Sequence, residues 1–82
     1  MSYEKVAKAN QTIIGIKQTF KTIRAGKAVE IVIAQAADAN LLLPILEEAN
    51  KRQLPVTYVE SKKALGEAAG IQVAASIVTL IE

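Results

Sequence analysis

The chain contains no cysteine, no histidine and no tryptophan in its 82 residues. Without cysteine there are no disulfides and no thiolate metal sites. Nothing then argues for an oxidising compartment, and the expected location is the cytoplasm. The absence of both histidine and cysteine also removes the commonest acid–base and nucleophilic groups. The carboxylates do not replace them. Glu47 and Glu48 are adjacent, so on a helix they point about 100° apart and cannot form a facing pair. No G-x-G-x-x-G occurs, and Gly66 to Gly70 reads GEAAG without the Lys-Ser/Thr ending of a phosphate loop. An enzyme is therefore not expected, and neither a metal nor an organic cofactor is implied. Uncharged apolar runs fall short of the roughly 18 to 20 residues that span a bilayer, and the charge-bearing N-terminal stretch does not read as a signal peptide. No membrane association is expected.

Aromatic residues are also scarce: Tyr3, Phe20 and Tyr58 are the full set, although 51% of the chain is hydrophobic. The core must then be built from Ile, Val, Leu and Ala. At this length the chain suffices for one modest core, so residues 1–82 form a single domain. Net charge is +2, which says little about partners, but its distribution is uneven. Between Met1 and Gly26, Lys5, Lys8, Lys17, Lys21 and Arg24 face only Glu4, whereas Glu30 to Glu48 lacks any Lys or Arg. One end is electropositive, as nucleic-acid contacts require.

Ser2 precedes Tyr3-Glu4-Lys5 and is a candidate N-cap for a short helix running toward Ala9 and Asn10. Thr12, Ile13 and Ile14 form a brief β-prone run that stops at Gly15, and a second helix extends to Gly26 as its C′ glycine. AVEIVIA from Ala28 to Ala34 has the near-continuous apolar character of a strand buried on both faces. Asp38 can cap a third helix with Leu42, Ile45, Leu46 and Ala49 on one side. Pro44 lies within it and predicts an irregular first turn or a kink. Leu54 and Pro55 end that helix, and VTYV from Val56 to Val59 reads as a second buried strand. Ser61 caps a fourth helix that Gly70 stops, and SIVTLI from Ser76 to Ile81 is the last strand. The alternating order predicts an α/β fold, a layered α/β/α sandwich, while strand order is not readable from it.

The most informative segment is GIKQTFKTIRAG, Gly15 to Gly26. Lys17, Lys21 and Arg24 fall at i, i+4 and i+7 and so share one face, while Ile16, Phe20 and Ile23 repeat the same spacing about 100° away. The start of such a helix combines unpaired backbone N–H groups with Lys17 and Lys21, and Gln18 adds an amide that both donates and accepts. This arrangement suits RNA phosphates and base edges; the alternative is a solvated amphipathic helix. Lys62 and Lys63 sit in the first turn after Ser61, where the helix dipole disfavours cations by roughly 0.3 to 1 kcal/mol each. They either mark an anion site or are exposed lysines that tolerate a small penalty. In GIQVAA, Gly70 to Ala75, Ile71 and Val73 would pack on an unstacked base if exposed, and would simply begin the final strand if buried.

In order, the G-x-x-x-x-x-K-x-x-x-x-G block, VEIVIA, LP-x-L-x-E, LPVTYVESKKALGEAAGI and the apolar end make up a pattern that covers Tyr3 to Ile81. It resembles the kink-turn-binding ribosomal proteins of the archaeal L7Ae type, and within them the small bacterial YbxF-like branch. The resemblance implies a three-layer α/β/α sandwich with a mixed four-stranded sheet. It also implies, as partner, structured RNA containing a kink-turn: a sharply bent duplex with tandem sheared G·A pairs beside a bulge, whose widened groove accepts a helix N-terminus. The ribosome is a further candidate partner, and a monomer is implied.

In that family the second helix opens G-x-N-E-x-x-K. Gly15 and Lys21 match, while Lys17 and Gln18 stand where Asn and Glu are usual, as in the bacterial branch. Lys17 could donate to guanine O6 or N7, and Gln18 could accept from a base amino group. The SK-x-x-LG motif is present as Ser61, Lys62, Leu65 and Gly66, which assigns Lys62 to the RNA backbone. The loop of Gly70, Ile71, Gln72, Val73 and Ala74 would meet a bulge nucleotide through Ile71 and Val73. Arg24 and Asp38, the latter where a family acid lies near the bulge, are secondary candidates. The competing reading is a protein-interaction or ribosome-associated scaffold that uses the apolar run Leu41 to Leu46.

Overall fold

The computed structural model describes residues 2–9 and 11–81. Its elements alternate as α1 (Ser2–Lys8), β1 (Gln11–Ile14), α2 (Ile16–Arg24), β2 (Ala28–Ala34), α3 (Ala39–Lys51), β3 (Val56–Val59), α4 (Lys62–Ala68) and β4 (Ile77–Ile81). The first helix begins at Ser2 itself, not after it, and ends at Lys8, short of the expected Ala9; Asn10 lies outside the described residues.

The four strands form one mixed sheet in the order β1-β4-β2-β3. β4 runs antiparallel to both β1 and β2, and β2 runs parallel to β3. Period-two alternation along β2 divides the core. Ile31 and Ile33 face α2 and α3, packing with Ile23, Leu42, Ile45, Ala49 and Ile77. Val32 and Ala34 face α1 and α4, packing with Val6, Val59, Leu65, Val78 and Leu80. The result is the α/β/α sandwich.

Burial along the strands departs from the sequence reading in two places. In β2 only Ile31–Ala34 is fully buried; Val29 is 46% exposed, and Glu30 is half-buried. Glu30 is tolerated there because its carboxylate accepts from the Thr57 hydroxyl (2.6 Å) and the Lys5 ammonium (2.9 Å). Burial alone would raise its pKa, but the Thr57 hydrogen bond and then Lys5 outweigh it and hold the carboxyl below its usual range. β3 is an edge strand, not a strand buried on both faces: only Val59 is buried, and Tyr58 points out to solvent.

The start of α3 follows expectation, while its end does not. The irregularity expected near Pro44 is confined to the first turn, where the Leu41 N–H reaches the Asp38 carbonyl, and the helix then continues across Pro44. Pro44 and Asn40, whose carbonyl loses its helical partner, are both exposed, so water can satisfy the freed group. Arg52, and not Leu54, is the C-cap. Gln53 takes the left-handed conformation (φ 57°), and the Gln53 and Leu54 N–H groups bond back to the Asn50 and Ala49 carbonyls. This is a Schellman stop made without glycine. The expected stops at Gly26 and Gly70 use the same pair of bonds.

Candidate nucleic-acid interface

Each of α2, α3 and α4 follows the carboxyl end of a strand, and the pairing register puts those three strand ends together. Ile14 of β1 lies opposite Val78, Ile33 of β2 opposite Ile77, and Val59 of β3 beside Ala34. Three helix N-termini, with their unpaired amides and positive dipole ends, therefore gather at one end of the sheet.

They are finished differently. Asp38 caps α3, its Oδ1 accepting from the Asn40 N–H at 2.9 Å. Ser61 caps α4, its Oγ accepting from the Ala64 N–H at 3.1 Å. The α2 start has no side-chain cap, because its N-cap is Gly15 at φ 106°, ψ 152°. An L side chain rarely adopts that φ, so the backbone requires glycine and the first-turn amides are left without an internal acceptor. Lys17 and Gln18 stand exposed beside them.

The loop expected to join this site is tied directly to it. The Gly15 N–H donates to the Ile77 carbonyl (3.5 Å), the Ala34 N–H to the Ser76 carbonyl (3.0 Å), and the Ala75 N–H to the Lys62 carbonyl (3.0 Å). Two residue steps reach at most roughly 7 Å, so the stretch Ala75–Ile77 fixes the α2 start and Lys62 close to each other. Residues far apart in the chain, Gly15, Lys17, Gln18 and Lys62, are thus gathered at one end of the molecule, and the loop from Gly70 to Ala74 runs back along α4 from its C-terminal end toward them.

The two apolar residues of the loop behave differently. Ile71 is half-buried against the α1/α4 side of the core, whereas Val73 is 69% exposed. Gly66 explains how the loop is held. A Cβ built there would run into the Val73 carbonyl oxygen, with the Ala74 Cα 3.3 Å away. The loop backbone lies directly on the helix and leaves Val73 facing outward.

Two supports were not visible from sequence. The Ser61 N–H donates to the Tyr3 hydroxyl at 3.1 Å, so α1 braces the start of α4 and, with it, Lys62. On the core side of α2, Thr19 is buried together with Thr79, the Thr79 hydroxyl donating to Thr19 at 2.8 Å. Ile16 and Phe20, which the spacing assigns to the core, are only partly buried. Lys21 and Arg24 continue the exposed stripe, with Arg24 at the opposite end of α2 from Gly15. Asp38 lies at the strand carboxyl ends with its carboxylate engaged in capping. Leu41 and Leu43 of α3 are exposed, and Leu41, Pro44 and Ile45 line an apolar groove against Ile16, Lys17 and Phe20.

Residues 2–82 match the model of the ribosomal protein L7Ae/L30e/S12e/Gadd45 family. The chain belongs to that family. Among its relatives, an RNA-binding protein of Geobacillus sp. (strain WCH70) is 44% identical over 81 residues, covering 99% of both chains. The RNA-binding protein YbxF of Geobacillus stearothermophilus is 42% identical over 81 residues with the same coverage, which places this family member close to the YbxF-like branch. The fold also matches the solved structure of a Giardia lamblia 15.5kD RNA binding protein, with a TM-score of 0.85 at 23% identity, over 98% of this chain and 68% of that one.

Proposed function

We propose that this protein binds kink-turn RNA and stabilises its bent form by binding it preferentially. The observation that carries the reading is the uncapped α2 start, held by Ala75–Ile77 next to Lys62 and the loop that exposes Val73. A widened groove at sheared G·A pairs would admit the Gly15 turn, because glycine lets backbone amides approach phosphates and base edges closely. Lys17 and Gln18 would read base edges, Lys21 and Lys62 would meet phosphates, and Val73 would rest against an unstacked base, with Gly70, Ile71, Gln72 and Ala74 shaping its loop. The curated relatives described as RNA-binding support the partner class. The protein would act in the cytoplasm as a monomer, on ribosomal or other structured RNA.

A labelled kink-turn RNA titrated in parallel with the same RNA carrying Watson–Crick pairs in place of the G·A pairs tests this. Tight binding to the first alone is expected, and equal weak binding to both would refute it. The exposure of Leu41 and Leu43 favours a second reading, a protein-docking scaffold. It predicts partner binding indifferent to salt and to Lys17, whereas RNA binding weakens steeply with ionic strength.

A further inference from the structure

Residues 16–27, IKQTFKTIRAGK, carry four cations and no carboxylate. The other helices mix signs: Glu4 with Lys5 and Lys8 in α1, Glu47 and Glu48 with Lys51 in α3, Lys62 and Lys63 with Glu67 in α4. Ion pairs among the described residues join Lys5 to Glu30 and Arg52 to Glu48, both away from α2. At about 1.5 Å of rise per residue, Lys17 to Arg24 covers roughly 10 Å along the helix. Lys27 follows just beyond its last turn, on the wall of an open cleft with Gln11, Gly26 and Ala28.

Basic residues in a last helical turn ordinarily complement the dipole by approaching the terminal carbonyls. Arg24 does something else. Its guanidinium carbon lies 5.6 Å from the centroid of the Phe20 ring, one turn back toward the N-terminus. Backbone N–H groups already meet the Lys21, Thr22 and Ile23 carbonyls, from Ala25, Lys27 and Gly26 respectively. A guanidinium stacked on an aromatic face keeps its edge donors for a planar, bidentate acceptor such as phosphate.

We infer that α2 is a rail for an RNA arm as well as the reader of the kink. Resting on the proposed kink-turn function, the backbone of the arm that enters at Gly15 continues along the Lys17–Lys21–Arg24 face, and Arg24 and Lys27 take two further phosphates at the far end of the helix. A duplex rises by roughly 3 Å per base pair, so the rail engages about three to four base pairs beyond the G·A site. These contacts carry charge and register but no sequence information.

The salt dependence of binding tests the rail. Arg24→Gln/Lys27→Gln is compared with Lys8→Gln/Lys51→Gln, which removes the same net charge away from α2. The kink-turn RNA and its Watson–Crick control are both titrated from about 50 to 200 mM salt. The rail variant should flatten the slope of log K against log salt by roughly 1.4 to 1.8, two phosphates' worth. The off-rail variant should leave the slope unchanged, and both should keep the kink-turn preference of the parent. Lys27→Gln alone should produce about half the effect, which guards against a folding defect from unstacking Arg24. An equal slope change in both double variants, or none in the rail variant, overturns the inference. A parent protein that binds both RNAs equally refutes the kink-turn reading instead, while the slope comparison still decides the rail. A parent that binds neither RNA overturns both.

Discussion

The starts of α2 and α4 both flank the stretch Ala75–Ile77, yet one is left open and the other is closed. At α2, Gly15 supplies no cap, and the amides of the first turn are available to a ligand. At α4, Ser61 fills the same role internally, and Tyr3 holds the Ser61 N–H in turn. An open start interacts through its backbone and needs a mobile partner to complete it, whereas a closed start serves as a rigid mount for one side chain, Lys62. Under the proposed function the difference would divide the labour: α2 would discriminate among RNAs, while α4 would contribute charge at a fixed place.

The largest disturbance to that arrangement is expected at Gly66, where α4 touches the loop that both starts share. Gly66→Ala places a methyl group against the Val73 carbonyl, and backbone cannot yield as a flexible side chain can. Overpacking of this kind should cost about 2 to 3 kcal/mol of stability. A domain of this size should lose roughly 4 to 8 °C in Tm for each kcal/mol. Kink-turn affinity should fall as well, because the displaced loop carries Val73 and the Ala75 tie to Lys62. An unchanged melting curve would show that the loop does not rest on the helix.

Substitutions on the two starts should separate next. Lys17→Ala or Gln18→Ala should each cost about 1 to 3 kcal/mol on kink-turn RNA and much less on a straight duplex, since under the proposed function each would remove a base-edge contact. Lys62→Ala should weaken both RNAs by a similar factor and flatten the salt slope by about 0.7 to 0.9, one phosphate contact. Equal effects of all three on kinked and straight RNA would remove the division between the starts.

Much of the frame was legible because the signals are local. Asp38 and Ser61 cap the helices they were expected to cap, Gly26 and Gly70 stop theirs, and β2 spans Ala28–Ala34. Contacts decided by distant residues were not legible. Gln53 in the left-handed region carries no sequence flag, and VTYV has the same apolar look on an edge as in the middle of a sheet. Gly66 reads as an ordinary helix interruption until a loop seven residues later packs on it. Within the site, Lys17, Gln18 and Lys62 were visible as charge and spacing, but their convergence depends on β4 inserting between β1 and β2. Of the two loop residues expected to face RNA together, Ile71 instead packs half-buried against the α1/α4 side of the core, a contact set by residues distant in the chain.

The smallest expected effect tests whether the α4 start is only a mount. Ser61→Ala removes the acceptor for the Ala64 N–H but keeps the Ser61 N–H on Tyr3. Loss of a serine cap should cost about 1 kcal/mol of stability. If α4 only presents charge, kink-turn preference over the Watson–Crick control should stay at the parent value even as Tm falls, because no base contact originates there. If the newly uncapped amides instead become a second open start, overall affinity should rise for both RNAs, since exposed first-turn N–H groups attract phosphate without regard to sequence. Recovery of the parent Tm by Ser61→Asp, which restores an acceptor at the N-cap, would show that the loss came from capping. The carboxylate would at the same time oppose RNA phosphate near Lys62, so a variant with parental stability and weakened binding to both RNAs would separate the mechanical role of the cap from its electrostatic one.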